Sequence, residues 1–191
     1  LQVGPIRCAG RDYQRGAPAE PLVRPWLAQA LQQPEAALGL WRDVHGRPHL
    51  AAAHRDVDTN WSHSGEALLV ALGIGVDVGV DIEWLRPRHN AMPLATRFFA
   101  PSETAILARL APDDCETAFV RLWCAKEAVL KAHGRGLSFG LHRLAFTLDD
   151  QGWSLTDCDP ELGRPGDWSL HAFAPMPGYL ATLAWRARQR T

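Results

Sequence analysis

The chain has 191 residues, 47% of them hydrophobic, enough for one domain or two small halves sharing a core without disulfide or metal staples. A formal net charge of −1 gives no global field for nucleic acid or another polyanion, so any basic site must be local. Cys8, Cys115, Cys124 and Cys158 form no C-x-x-C pair and no zinc-finger spacing, and read as free thiols of a reducing compartment.

Leu1–Gly10 carries no apolar signal region, and no run approaches the roughly eighteen apolar residues of a membrane span. The expectation is a cytoplasmic protein. Leu1–Glu20 mixes Gly, Pro and charge and reads as an irregular lead-in. Pro21–Leu31 is helical, with Leu22, Trp26, Leu27 and Leu31 near helical spacing and Pro25 early enough to be tolerated. An extended piece at Leu38–Trp41 leads to the turn His45-Gly46-Arg47-Pro48, and Arg55–Gly65 reads as a polar loop. Glu66–Leu72 is a buried strand. Gly73-Ile74-Gly75 ends it, and Val78–Glu83 is its expected partner strand.

Arg86–Pro93 is polar and proline-containing, the expected linker between halves at 1–85 and 86–191. Met92–Phe99 predicts a short helix, and Pro101-Ser102-Glu103 opens another with Ser102 as its cap. A longer helix runs from a cap at Asp113 or Asp114 to about His133 and stops at Gly134. Leu144–Leu148, Trp153–Thr156, Trp168–Ala174 and Tyr179–Trp185 complete the chain as strands.

Two stretches carry chemistry. In Val80-Asp81-Ile82-Glu83 side chains alternate between faces, so Asp81 and Glu83 share one face while Val78, Val80 and Ile82 share the other. Two carboxylates at i and i+2 suit Mg²⁺, which takes one or two of them plus phosphate and water. They equally suit a merely acidic strand face. In Trp123-Cys124-Ala125-Lys126-Glu127-Ala128-Val129-Leu130-Lys131, Trp123, Glu127 and Lys131 fall on one helix face. Glu127 and Lys131 there make either a simple helix ion pair or a third carboxylate and a phosphate-seeking lysine. Lys126 sits about 100° around the helix from Glu127.

The Gly79–Glu83 strand, followed some forty residues later by the Trp123–Lys131 helix, resembles the 4′-phosphopantetheinyl transferase superfamily, and its Sfp-like group in particular. Asn60-Trp61-Ser62-His63-Ser64-Gly65 is similar to that family's Ser-His-Ser loop, and Gly46-Arg47-Pro48 to its Gly-Lys/Arg-Pro turn. Phe98-Phe99 with Ser102-Glu103, and Gly134-Arg135-Gly136-Leu137, also fit. The resemblance implies an α+β fold of two similar halves with pseudo-two-fold symmetry, each a small antiparallel sheet on a long helix, with coenzyme A in the cleft between them. It implies transfer of phosphopantetheine from coenzyme A to a serine of an apo acyl or peptidyl carrier protein, by a monomer. Asp81, Glu83 and Glu127 would hold Mg²⁺, and Glu127 would also activate the serine, directly or through water. Lys131 would contact the pyrophosphate, His63 a phosphate of coenzyme A, and Arg47 the adenosine-side phosphates. Lys126 joins the coenzyme A contacts as a motif residue. Cys124 stands where the family more often has Ser or Thr and is expected to have no catalytic duty. Two rival readings are another Mg²⁺-dependent phosphotransferase and an inactive binder of coenzyme A or carrier proteins.

Overall fold

The computed structural model of the protein describes residues 1–87 and 90–188. In chain order the elements are β1 (Gln2–Val3), β2 (Ile6–Asp12), α1 (Glu20–Ala30), β3 (Leu40–Arg42), β4 (Pro48–Leu50), β5 (Val57–Ser64), β6 (Ala67–Ile74) and β7 (Val76–Trp84). Then come α2 (Ala91–Phe98), α3 (Pro101–Leu107), α4 (Pro112–His133), β8 (Leu144–Asp149), β9 (Gly152–Cys158), β10 (Trp168–Phe173) and β11 (Tyr179–Ala187). Every strand pairing is antiparallel, in sheets ordered β1-β2-β6-β5, β10-β11-β7, β3-β4 and β8-β9.

The unbroken apolar run of β6 follows from burial on both faces. Leu68, Val70 and Leu72 pack on Val23 and Leu27 of α1. Ala67, Leu69 and Ala71 face Val78, Val80 and Ile82 of β7 and Leu183 of β11. The opposite face of β7 carries α4, whose Phe119, Leu122, Val129 and Leu130 anchor the largest core. Gly79 makes that approach possible. A Cβ there would lie 2.0 Å from the Ala128 carbonyl oxygen and 2.5 Å from the Ala132 nitrogen. Strand and helix therefore touch backbone to backbone, one pleat away from Asp81.

Several expectations change. The lead-in contains β2, hydrogen-bonded to β6 from Ile6↔Gly73 to Asp12↔Ala67. Ile6 and Cys8 point inward between exposed Arg7 and a half-buried Ala9, a short alternation that Gly10 and Arg11 obscure. The polar loop is strand β5. Val78–Glu83 pairs with β11 rather than β6, because the turn at Gly75 (φ 71°) sends the chain into the other sheet. A division after residue 85 thus separates β7 from the strand that carries its whole ladder. Ala100, not Ser102, occupies the cap position of α3, with Pro101 in the first turn, and Glu103 reaches back to accept from the Ala100 N–H at 2.8 Å. Ala111 caps α4, so Asp113 and Asp114 lie in its first turn, where negative charge favours a helix. Gly134 ends α4 in the left-handed conformation, φ 98°. The linker Arg86–Pro93 includes Arg88 and His89, which lie outside the described residues, and α2 has already begun at Ala91. All four cysteines are free. No helix among the described residues is long and apolar enough to cross a membrane.

Candidate active site

Strand β5 joins the two large sheets through its side chains. Asp58, Asn60, Ser62 and Ser64 alternate onto one face. Asp58 accepts from the Val78 N–H at 2.8 Å, and Asn60 from the Val80 N–H at 3.0 Å. Ser62 donates to Asp81 Oδ1 at 2.8 Å and Ser64 to Glu83 Oε2 at 3.1 Å. Polar side chains thus take the place of a backbone ladder between β5 and β7. The final two of them position the carboxylates.

Those carboxylates line a cleft of about 550 Å³ between β5, β7 and α4. Asp81 is 4% exposed and Glu127 7%. Lys131 Nζ donates to Asp81 Oδ1 at 2.6 Å and to Ser62 Oγ at 2.9 Å, and lies 4.0 Å from Glu127 Oε2. Burial pushes the Glu127 carboxyl up to about 7. Lys131 opposes that rise, while the charges of Asp81 and Glu83 add to it. For Lys131 burial works against the cation, but Asp81 and Glu127 outweigh it and its pKa is raised.

Among the described residues no three His, Cys, Asp or Glu side chains converge into a ready-made metal cage. Lys131 lies against Asp81 instead. The donor set still fits a hard cation. Asp81 Oδ2 is buried without a hydrogen-bond partner, and three mutually repelling carboxylates share the cleft. Mg²⁺ needs only one or two of them, filling its remaining positions with phosphate and water.

His63 borders this cleft and a neighbouring hollow of about 680 Å³. It stacks on Tyr13 with ring centroids 4.3 Å apart. Burial, then the charge of Lys131, lowers its pKa, so it is neutral at pH 7. Trp123 stands on the cleft wall, on the face shared with Glu127 and Lys131. Cys124 is buried at the back, where burial and the charges of Asp81 and Glu83 push its thiol well up.

Two residues sit elsewhere than the motifs imply. Lys126 is fully buried on the far side of α4. It donates to the Leu141 and Leu144 carbonyls at 2.8 and 2.6 Å and pairs with Glu103 at 2.8 Å. Phe99 and Phe146 cover the cation. It touches neither cleft nor solvent, which corrects its placement among coenzyme A contacts. Arg47 is buried at the other end of the β5–β7 seam, where it donates to the Asp58 carboxylate and, at 3.0 Å, to the Val78 carbonyl. It lines a separate cavity of about 250 Å³ beside His133 and Arg188, and not the carboxylate cleft. Conversely, the cleft contains Arg42 and Trp61, which the motif reading did not single out. The Asp-x-Asn-x-Ser-x-Ser alternation over 58–64 was the signal for that wall. His49 pairs with Asp43 and His54 with Gln33.

The region that carries this cleft is one with known relatives. The model of the 4′-phosphopantetheinyl transferase superfamily matches residues 77–184, more than half of the chain, and the protein belongs to that superfamily. It is 32% identical over 141 residues to a 4′-phosphopantetheinyl transferase of Bacillus subtilis, covering 74% of this chain and 61% of the relative. It is 34% identical over 126 residues to the 4′-phosphopantetheinyl transferase HetI of Nostoc, covering 65% and 50%. With the 4′-phosphopantetheinyl transferase AcpT of Salmonella typhimurium the identity is 40% over 111 residues, covering 57% and 58%. The chain spans less than two thirds of the length of these relatives.

Proposed function

We propose that this protein transfers the 4′-phosphopantetheine arm of coenzyme A to a serine of an apo carrier protein, in a Mg²⁺-dependent reaction that releases adenosine 3′,5′-bisphosphate. The observation that carries the reading is that Asp81, Glu127 and Lys131, from two separated motifs that both lie in the family-matching region, meet across one cleft. On this reading coenzyme A lies between halves 1–85 and 86–191, and the protein works as a cytoplasmic monomer.

Asp81, Glu83 and Glu127 would hold the Mg²⁺, which when bound neutralises the diphosphate and favours its cleavage. The serine oxygen attacks the pantetheine-side phosphorus, and the bond from that phosphorus to the bridging oxygen breaks. The electron pair leaves with adenosine 3′,5′-bisphosphate. Glu127 takes the serine proton, directly or through one water. Lys131 swings its charge from Asp81 to the phosphate oxygens, where negative charge grows. Ser62 and Ser64 keep Asp81 and Glu83 oriented while it does so. His63, neutral and braced by Tyr13, offers a ring N–H to a phosphate.

Intact-mass analysis of several apo-carrier proteins, after incubation with the protein, coenzyme A and Mg²⁺, tests the proposal. The expected result is a gain of one phosphopantetheine group that EDTA suppresses. No gain on any carrier, with coenzyme A bound, would favour the inactive-binder reading, and neither gain nor binding would remove the proposal.

A further inference from the structure

The three carboxylates of the cleft are not held alike. Asp81 and Glu127 are buried, but Glu83 is half-buried near the end of β7, one residue before the exposed Trp84. Its carboxylate accepts from the Ser64 hydroxyl at 3.1 Å, and the same Ser64 oxygen accepts from the Trp84 N–H at 3.0 Å. Ser64 is the last residue of β5 and opens a tight two-residue turn, Gly65-Glu66, into β6. Whatever fixes that turn fixes Ser64, and Ser64 orients Glu83.

The turn is tied from both ends of the chain. The Glu66 carbonyl accepts from the Tyr13 N–H at 2.8 Å. The Glu66 N–H lies outside the β5–β6 ladder and donates to the phenol oxygen of Tyr179 at 3.1 Å, 113 residues away in sequence. Tyr179 is the first residue of β11 and pairs with Trp84, so it stands beside the strand end that carries Glu83. Gly65, with φ 58°, lies so close that a Cβ there would come within 2.7 Å of the phenol oxygen and 3.4 Å of the Trp84 ring. Turn, phenol and strand end thus form one closed contact. Resting on the function proposed above, we infer that Tyr179 is a positioning residue for the divalent cation. Its hydroxyl latches the Gly65-Glu66 turn onto the second half of the chain and so keeps Ser64 on Glu83. The Tyr179 ring also lines the neighbouring hollow, and removing the hydroxyl alone leaves that wall in place.

The test compares the wild type, Tyr179→Phe, Ser64→Ala and the double variant. Calorimetry follows Mg²⁺ into protein saturated with coenzyme A, and coenzyme A into metal-free protein in EDTA. Thermal melting checks the fold, and amide exchange at Trp84 reads the latch directly. The expected result is that Tyr179→Phe binds Mg²⁺ about threefold to tenfold more weakly, the worth of one hydrogen bond, while metal-free coenzyme A affinity changes by less than about twofold. The Trp84 amide exchanges faster in the same variant. Adding Tyr179→Phe to Ser64→Ala weakens Mg²⁺ no further, since both act on one link. Unchanged Mg²⁺ affinity in Tyr179→Phe, or additive losses in the double variant, would overturn the inference. Equal weakening with and without Mg²⁺ would overturn it in favour of a direct contact between the hydroxyl and coenzyme A. A wild type that takes up no Mg²⁺, with coenzyme A bound or not, would remove the metal reading of the cleft along with this one. A wild type that takes up both, with Tyr179→Phe to match, would remove this one alone.

Discussion

Glu127 is a carboxyl that the fold holds at some cost when no cation is present. Its folded pKa, about 7, stands above the ordinary value of 4.5, with burial as the leading cause and the neighbouring carboxylates adding to it. The folded state therefore binds the extra proton between those values. Stability from this group is fully present below pH 4.5 and is lost as pH rises through about 7. Glu127→Gln, which carries no charge, escapes that loss. In urea unfolding without divalent ions the variant should match the wild type near pH 4.5 and be more stable at pH 8, while transfer activity disappears. A stability difference that does not grow with pH would show that Glu127 is not burdened by its neighbours. Lys126 gives the opposite lesson. Its cation is satisfied by Glu103 and two carbonyls, so Lys126→Ala strands the Glu103 carboxylate and should cost about 3–5 kcal/mol. Coenzyme A affinity of the folded fraction should be unchanged. Weakened affinity at full folding would return Lys126 to the binding site.

At the scale of elements, helix α4 and strand β7 were legible because their periodicities are strong. Val78, Val80 and Ile82 mark one strand face, and Phe119, Leu122, Val129 and Leu130 one helix surface. Motif spacing then brought out Asp81, Glu127 and Lys131. What the sequence hid was pairing. Strand β5 looks like a loop because its polar residues face neither solvent nor core but the edge of β7. Arg47 and Arg42 lie five residues apart on one hairpin, and only the fold decides which enters the cleft. The β7–α4 contact itself rests on Gly79. Gly79→Ala would set a methyl 2.0 Å from the Ala128 carbonyl oxygen, forcing the helix outward. The expected cost is about 1–3 kcal/mol, together with a clear loss of Mg²⁺-dependent coenzyme A binding, since Lys131 and Glu127 move with the helix. Calorimetry on the folded variant checks this. Normal binding would mean that the cleft tolerates a displaced α4.

For the molecule as a whole, the seam between β5 and β7 decides whether its halves are independent. β7 gives its ladder to β11 and receives side chains from β5, and its apolar face closes the core shared with β6. Neither sheet can open without exposing Val78, Val80 and Ile82. The halves should therefore unfold together, with tryptophan fluorescence and far-ultraviolet circular dichroism tracing one coincident urea transition. Asn60→Ala leaves the buried Val80 N–H without its acceptor, a loss of about 1–3 kcal/mol. Because the seam serves both sheets, the substitution should lower the midpoint of both signals equally and leave the transition single. Two separated transitions in the variant, or in the wild type, would show that the side-chain seam does not couple the halves. The cleft would then be a hinge between independent units and not a wall of one folded body.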